Sequence, residues 1–142
     1  LLRRPYERMY GWLYAELAAQ GYANIRPAFS AVLRNLPQTG ARVSELAARA
    51  SMTKQSMAYL VNQMVDAGLV TVTPDANDKR ASNVALTPHG EEVMAAAIAL
   101  SKSYEARLGE LLGDKKMAQL RAVLTELYTK LEDVDVMASS KG

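Results

Sequence analysis

The stretch that decides the fold covers Val43–Leu60 and reads VSELAARASMTKQSMAYL. Apolar residues recur at helical spacing in its first part, and the small Ala47 suits the close crossing of two helices. Ser51 and Met52 interrupt this repeat, and Thr53 follows as a residue able to cap a second helix. The pattern therefore predicts a helix-turn-helix motif.

The second helix of the motif, which we expect to span Thr53–Ala67, has two faces of opposite chemistry. One face is an apolar stripe expected to be buried, formed by Met57, Leu60, Val61, Met64 and Val65. The other face carries hydrogen-bonding groups with little charge, namely Lys54, Gln55, Ser56, Tyr59, Asn62 and Gln63. Such groups, together with Thr53, suit the base edges of a DNA major groove. The alternative is a polar face that meets only water.

Alternating β-branched residues follow Gly68 in two runs, Leu69–Thr73 and Asn83–Thr87, and predict two strands. The polar stretch between them is rich in turn-forming residues. A hairpin directly after a helix-turn-helix is a wing. The sequence therefore predicts a winged helix-turn-helix.

The loop of this wing offers cations for DNA. Lys79 and Arg80 would lie near its tip, where a positive side chain can enter the minor groove or contact phosphate. Asn77 belongs to the same predicted DNA-binding set, and Asp78 is expected to orient Arg80. The alternative is a solvated loop whose internal ion pair contributes little.

Composition limits the other possible functions. The chain has 142 residues, of which 49% are hydrophobic and 23% charged, as in an ordinary globular protein. It has no Cys and a single His, His89, so we predict no catalytic site, no metal site and no cofactor. No apolar run approaches the roughly 20 residues of a membrane span, and no secretory signal is visible, so we expect a cytoplasmic protein.

Charge is distributed unevenly along the chain. Residues 1–80 carry ten Lys and Arg against six Asp and Glu, whereas residues 81–142 carry seven against nine. The half with the helix-turn-helix is therefore the basic one, which favours modest attraction to phosphate.

Helical patterns flank the winged unit on both sides. We expect helices from about Pro5 to before Gly21, from Ile25–Pro27 to about Leu36, from Thr87–Pro88 to about Gly113, and from Asp114 until periodicity is lost in a frayed segment from Asp133. The last of them has an apolar stripe of Met117, Leu120, Leu124, Leu127, Tyr128 and Leu131.

The apolar faces of these flanking helices predict a homodimer. Two DNA-binding units related by a two-fold axis would match a pseudo-palindromic operator in double-stranded DNA. The expected organisation is mainly α with a small β-hairpin. An N-terminal dimerisation helix (1–24), the winged helix-turn-helix (25–90) and C-terminal dimerisation helices (91–142) would form one intertwined domain.

The chain resembles the MarR family of bacterial winged helix-turn-helix regulators over nearly its full length. The resemblance rests on Val43-Ser-Glu-Leu-Ala47, Asp66-Ala-Gly-Leu-Val70, Pro74-Asp-Ala-Asn-Asp-Lys-Arg80, Leu86-Thr-Pro-His-Gly90 and Ile25-Arg-Pro-Ala-Phe-Ser-Ala-Val-Leu33. It implies a dimer with interleaved terminal helices, a recognition helix in the major groove and a wing in the minor groove. It also implies a transcriptional regulator, in many members a repressor released by a small aromatic or phenolic ligand.

Aromatic residues are concentrated in the first 30 positions, at Tyr10, Trp12, Tyr14, Tyr22 and Phe29. Ligand pockets are commonly lined by aromatic side chains, and the resemblance implies an effector site beside this region. The alternative is that these rings fill the dimer core. For the whole chain, the alternative to a DNA-binding regulator is a winged-helix protein-interaction or ligand-binding module without DNA binding.

Overall fold

A computed structural model of the chain describes residues 2–74 and 82–139, with the side chains of the last helix described up to Leu131. Contacts divide the chain into two compact units, Leu1–Ser101 and Lys102–Gly142. None of the helices in these ranges is long and apolar enough to cross a membrane.

The helices are α1 (Arg3–Ala19), α2 (Ser30–Leu33), α3 (Val43–Arg49), α4 (Lys54–Asp66), α5 (Pro88–Leu112) and α6 (Asp114–Ser139). A 3-10 turn at Pro27–Phe29 precedes α2, and the strands are β1 (Ala41–Arg42), β2 (Val70–Pro74) and β3 (Ser82–Leu86). The predicted class, mainly α with a winged helix-turn-helix, is confirmed.

Two helix ends and the number of strands differ from those that the sequence predicts. The second helix ends at Leu33 rather than near Leu36, and Pro37 soon after disfavours a longer helix. The last helix continues in its backbone to Ser139, so the expected fraying from Asp133 is wrong. The sheet has a third strand, β1, which at two residues is too short to leave a pattern in the sequence.

The three strands form an antiparallel sheet in the order β1-β3-β2. In the hairpin, Val70 pairs with Leu86 and Thr73 pairs with Asn83. On its other side β3 pairs with β1, where Val84 faces Ala41. The predicted hairpin is thus present and is joined to the strand that leads into α3.

The first unit has one hydrophobic core that packs α3, α4, the sheet and the start of α5 together. Its fully buried side chains are Leu17, Phe29, Val32, Leu46, Met57, Val61, Met64, Leu69, Val70, Val84 and Val93. Leu17 brings the end of α1 into this core, whereas Tyr6 near its start is 47% exposed. The C-terminal end of α1 is therefore packed into the core of its own chain.

The second unit contains the end of α5 and all of α6, joined at Gly113, whose φ of 78° suits glycine. Arg121 of α6 pairs with Glu105 of α5 at 3.2 Å. Among the described side chains of residues 102–131, none is buried. The apolar stripe of α6 therefore lies open within this unit.

Candidate nucleic-acid interface

The turn between α3 and α4 sets the angle at which α4 leaves α3. Ser51 adopts a left-handed conformation with φ of 52°, which is uncommon for a side-chain-bearing residue. The Met52 amide donates to the Ala47 carbonyl at 2.9 Å, which closes the end of α3. Ala47 itself is 4% exposed, as expected for the small residue at the contact between the two helices.

Thr53 caps α4 as the sequence predicts. Its Oγ1 accepts a hydrogen bond from the Ser56 amide at 3.1 Å, and its hydroxyl donates to Ser56 Oγ at 2.8 Å. These two hydroxyls are therefore already engaged with each other at the start of the helix. Their contribution is to fix where α4 begins and how its first turn is presented.

The buried and exposed faces of α4 follow the predicted pattern with one correction. Met57, Leu60, Val61 and Met64 are buried, but Val65 is 41% exposed and does not belong to the buried stripe. The reason is the rotation of α4 about its own axis. This rotation directs Met57, Val61 and Met64 toward the core and leaves Val65 at the edge of the buried face.

The predicted DNA-binding face is largely free of the core. Lys54, Gln55, Ser56, Tyr59 and Asn62 are all exposed, and the Tyr59 side chain is 65% exposed. A phenol ring in that position offers both a hydrogen-bonding hydroxyl and an apolar edge to a neighbouring molecule.

Gln63 differs from these residues because it has a partner within the chain. It is half-buried, and its Oε1 accepts a hydrogen bond of 2.6 Å from Arg26 Nη1. Arg26 lies just before the 3-10 turn, 37 positions earlier. Sequence reasoning missed this pairing, since no periodicity relates residues on separate elements.

The wing is described at its base and not at its tip. Thr71, Val72 and Thr73 of β2 are exposed, while Val84 of β3 packs fully in the core. The predicted wing residues Asn77, Asp78, Lys79 and Arg80 lie outside the described residues.

The base of the wing is fastened to α4 and α5 through Thr87. Its Oγ1 accepts from the Gly90 amide at 2.9 Å, which caps α5, and its hydroxyl donates to the Gly68 carbonyl at 2.6 Å. Gly90 lies so close to the Leu69 backbone that a Cβ there would collide with the carbonyl oxygen of Leu69. The segment Leu86-Thr-Pro-His-Gly90 thus links the end of α4, the hairpin and α5.

Most of the aromatic residues predicted to bind a ligand are half-buried, and one is fully buried. Tyr10, Trp12, Tyr14 and Tyr22 are half-buried, whereas Phe29 is 1% exposed and fills the core. Tyr22 lies near His89, with ring centroids 6.0 Å apart. Phe29 is thus a core residue and not an accessible wall.

Three tyrosines form a row along α1 that we call the tyrosine row: Tyr6, Tyr10 and Tyr14. Their ring centroids are 4.4 and 5.8 Å apart in sequence order. Tyr14 also donates its hydroxyl to the Pro27 carbonyl at 3.3 Å. The row therefore lies beside the segment that leads into α2.

The members of the row differ in acidity. Burial raises the pKa of Tyr10, but hydrogen bonds with Tyr6 and Ser30 and the nearby Arg34 charge outweigh it, so the pKa is lowered overall. Burial raises the pKa of Tyr14, and the hydrogen bond with Tyr10 raises that of Tyr6. The Arg34 charge thus acts on all three tyrosines of the row, while Ser30 hydrogen-bonds with Tyr10 and Tyr14.

The fold and the arrangement of α3, α4 and the hairpin define a winged-helix protein. A family model described as the MarR family matches residues 27–81. Over this segment the chain is similar to the MarR family of transcriptional regulators, as its sequence motifs also indicate. That family consists of DNA-binding proteins without enzymatic activity, in agreement with the prediction that the chain is not an enzyme.

One curated relative is similar to the chain over most of its length. The exopolysaccharide II synthesis transcriptional activator ExpG of Rhizobium meliloti is 27% identical over 90% of this chain. The chain spans 65% of the length of that relative.

Two solved structures are similar over most of both chains. A mutant of MarR from E. coli is 22% identical, with a TM-score of 0.73 over 90% of this chain and 93% of that one. NadR, solved in complex with 4-hydroxyphenylacetate, is 25% identical, with a TM-score of 0.64 over 89% of this chain and 88% of that one.

Proposed function

We propose that the protein is a homodimeric, sequence-specific DNA-binding transcriptional regulator. In this proposal α4 enters the major groove and the wing enters the minor groove at each half of a pseudo-palindromic operator. The observation that carries it is the exposed, mostly uncharged face of α4 with Gln55, Tyr59 and Asn62. Because a cap and a packed core hold this helix, its side chains are presented without a large cost of ordering.

A second copy of the chain is proposed to cover the stripe on α6. Leu120, Leu124 and Leu127 are 37–40% exposed, and Leu131 is 55% exposed. Their spacing of four, three and four residues is that of a helix-helix seam. We propose residues 1–24 and 91–142 as the dimerisation segments and 25–90 as the DNA-binding unit, with the dimer acting in the cytoplasm.

DNA titrations with matched variants test the proposed DNA contacts of the wing and of α4. Arg80→Ala is expected to weaken binding to all duplexes and to lower the salt slope by about 1, because a wing cation would contact phosphate. Tyr59→Ala and Gln55→Ala are expected to change the preference among sequences, costing about 1–3 kcal/mol for a residue that reads a base. Equal binding by wild type and Arg80→Ala would remove the wing from the proposal.

We further propose that the regulator is a repressor released by a small phenolic or aromatic acid. The tyrosine row, together with Trp12 on the same helix and Tyr22 just after it, offers rings for stacking. Arg34, whose charge acts on the row, offers a cation for a carboxylate. The 4-hydroxyphenylacetate bound by NadR supports this class of ligand. Phe29 takes no part, because the core encloses it.

Two measurements test this regulation. A phenolic acid that binds is expected to raise the melting temperature of the wild type, and less so that of Arg34→Ala. A promoter-reporter assay then decides direction, since ExpG is named an activator. Loss of reporter signal on expression of the protein, restored by the acid, is the expected result, and a gain of signal would overturn repression.

A further inference from the structure

The hydrogen bond between Arg26 and Gln63 connects two elements that sequence analysis treats separately. Arg26 precedes the 3-10 turn that leads into α2, while Gln63 lies in the third turn of α4, on the side of the proposed DNA-binding face. The distance of 2.6 Å is short for a hydrogen bond to a charged donor. This contact therefore affects how α4 presents one of its polar side chains.

The backbone around Arg26 is well anchored. Ile25 on one side is 6% exposed, and Pro27 on the other side has a fixed φ and accepts the Tyr14 hydroxyl. The Arg26 carbonyl accepts from the Phe29 amide at 3.0 Å. The guanidinium thus extends from a fixed point rather than from a free loop.

The chemistry of the pair decides the orientation of the Gln63 amide. A guanidinium has only donors, so the Gln63 atom that it contacts must be the amide oxygen. The oxygen and the nitrogen of an amide lie on opposite sides of its carbon. Holding the oxygen toward Arg26 therefore turns the NH2 group away and leaves it as the part available to another molecule.

This orientation matters for reading bases. A glutamine that reads adenine uses both its oxygen and its nitrogen, because adenine offers one donor and one acceptor in the major groove. Guanine offers two acceptors there, N7 and O6. An amide that presents its donors, beside a positive charge, therefore suits the two acceptors of guanine better than the single acceptor of adenine.

We propose that Arg26 is a positioning residue that makes Gln63 a hydrogen-bond donor toward DNA, so that the pair favours guanine over adenine at one position of each half-site. This inference rests on the proposed function, because it assumes that α4 occupies the major groove. It adds a residue outside the helix-turn-helix to the determinants of sequence preference.

The experiment begins with selection of a consensus by the wild-type protein from random duplex DNA. Each guanine of the consensus is then replaced by adenine in both half-sites, and affinities are measured for wild type, Arg26→Ala, Gln63→Ala and the double variant. Arg3→Ala is the control, since Arg3 is an exposed arginine paired with Glu7 within α1.

For wild type we expect on the order of tenfold discrimination against adenine at one symmetric pair of positions. Arg26→Ala and Gln63→Ala should each reduce this to about twofold or less, and the double variant should lose no more than either single variant, because the two residues act as one unit. Arg3→Ala should keep the wild-type discrimination. Gln63→Glu keeps an acceptor for Arg26 but has no donor, and it should also lose the preference.

A uniform loss of affinity for every duplex by Arg26→Ala, additive with Gln63→Ala and accompanied by a smaller salt slope, would overturn the inference, since it identifies Arg26 as a phosphate contact alone. Discrimination retained by Gln63→Glu would overturn it as well. Failure of the wild type to bind any duplex would instead refute the proposed function. The two failures are therefore distinguishable.

Discussion

Helix α4, the proposed recognition helix, and the C-terminal helix α6 carry similar apolar repeats that differ in burial. In α4 the repeat residues Met57, Leu60, Val61 and Met64 are at most 9% exposed. In α6 the repeat residues Leu120, Leu124, Leu127 and Leu131 remain 37% exposed or more. Removing apolar area from water stabilises by about 25 cal/mol per Å². Covering the α6 stripe with a second copy, as proposed, would therefore add the kind of stabilisation that the α4 stripe already has within its own chain.

The largest expected effect is at the centre of the α6 stripe. Leu127→Glu would place an unpaired carboxylate from each copy in the proposed seam, and we expect dimerisation to weaken by about 1,000-fold, or roughly 4 kcal/mol. Sedimentation equilibrium measures this. Lys130→Ala, which removes an exposed side chain on the same helix, should leave the dimer unchanged. A Leu127→Glu protein that sediments like the wild type would show that the stripe is not the interface.

The next effect separates the two faces of α4. Met64→Ala removes a fully buried side chain and should lower the free energy of unfolding by about 2–5 kcal/mol. Val65→Ala, one residue later and 41% exposed, should stay within about 0.5 kcal/mol of wild type. Urea denaturation of both variants gives the values. Similar losses at the two positions would contradict the observed rotation of the helix.

A smaller contrast concerns two glycines of α5, one in each unit. Gly90→Ala forces a Cβ against the Leu69 carbonyl and should destabilise the protein by about 1–3 kcal/mol. At Gly109 the nearest atom to an added Cβ is Met117 Cγ at 4.0 Å, so Gly109→Ala should stabilise it by about 0.5–1 kcal/mol. Thermal unfolding of the two variants should thus move in opposite directions. An unchanged melting temperature for Gly90→Ala would mean that Gly90 packs less tightly against the Leu69 backbone than the structure shows.

The smallest effect is in the turn that precedes α4. Ser51→Gly relieves a left-handed conformation but adds entropy to the unfolded chain, and we expect a net gain of about 0.5 kcal/mol. Ser103→Gly makes the same change inside α5, where it should cost about 0.5 kcal/mol. Denaturation midpoints compare the two. A loss of stability in Ser51→Gly would indicate that the serine side chain supports the turn.

Local signals in the sequence predicted much of this fold. Helical periodicity located α3 and α4, the hydroxyls of Thr53 and Thr87 marked two helix starts, and the alternating runs on either side of the wing loop marked β2 and β3. Each of these features depends on residues within about one turn or one strand. Neighbours in sequence are then also neighbours in space, so the local sequence pattern is enough to predict the helix or strand.

Contacts between distant residues left no such signal. The bond from Arg26 to Gln63 spans 37 positions, and strand β1 forms by pairing with the distant strand β3, where Ala41 faces Val84. The exposure of Val65 depends on how α4 is rotated against the core, which a stripe read at helical spacing does not resolve. The predicted roles of Lys79 and Arg80 remain predictions, as do the contacts of Tyr59 and Gln55 with bases.

The central claim is that two copies of this chain read a two-fold-symmetric DNA sequence through α4. Titrating the full chain onto a duplex selected from random sequence, at increasing salt, tests it most directly. We expect two chains per duplex, a palindromic consensus and an affinity that falls steeply as salt rises. Absence of binding to any duplex at low salt, or a single chain bound per site, would contradict the account.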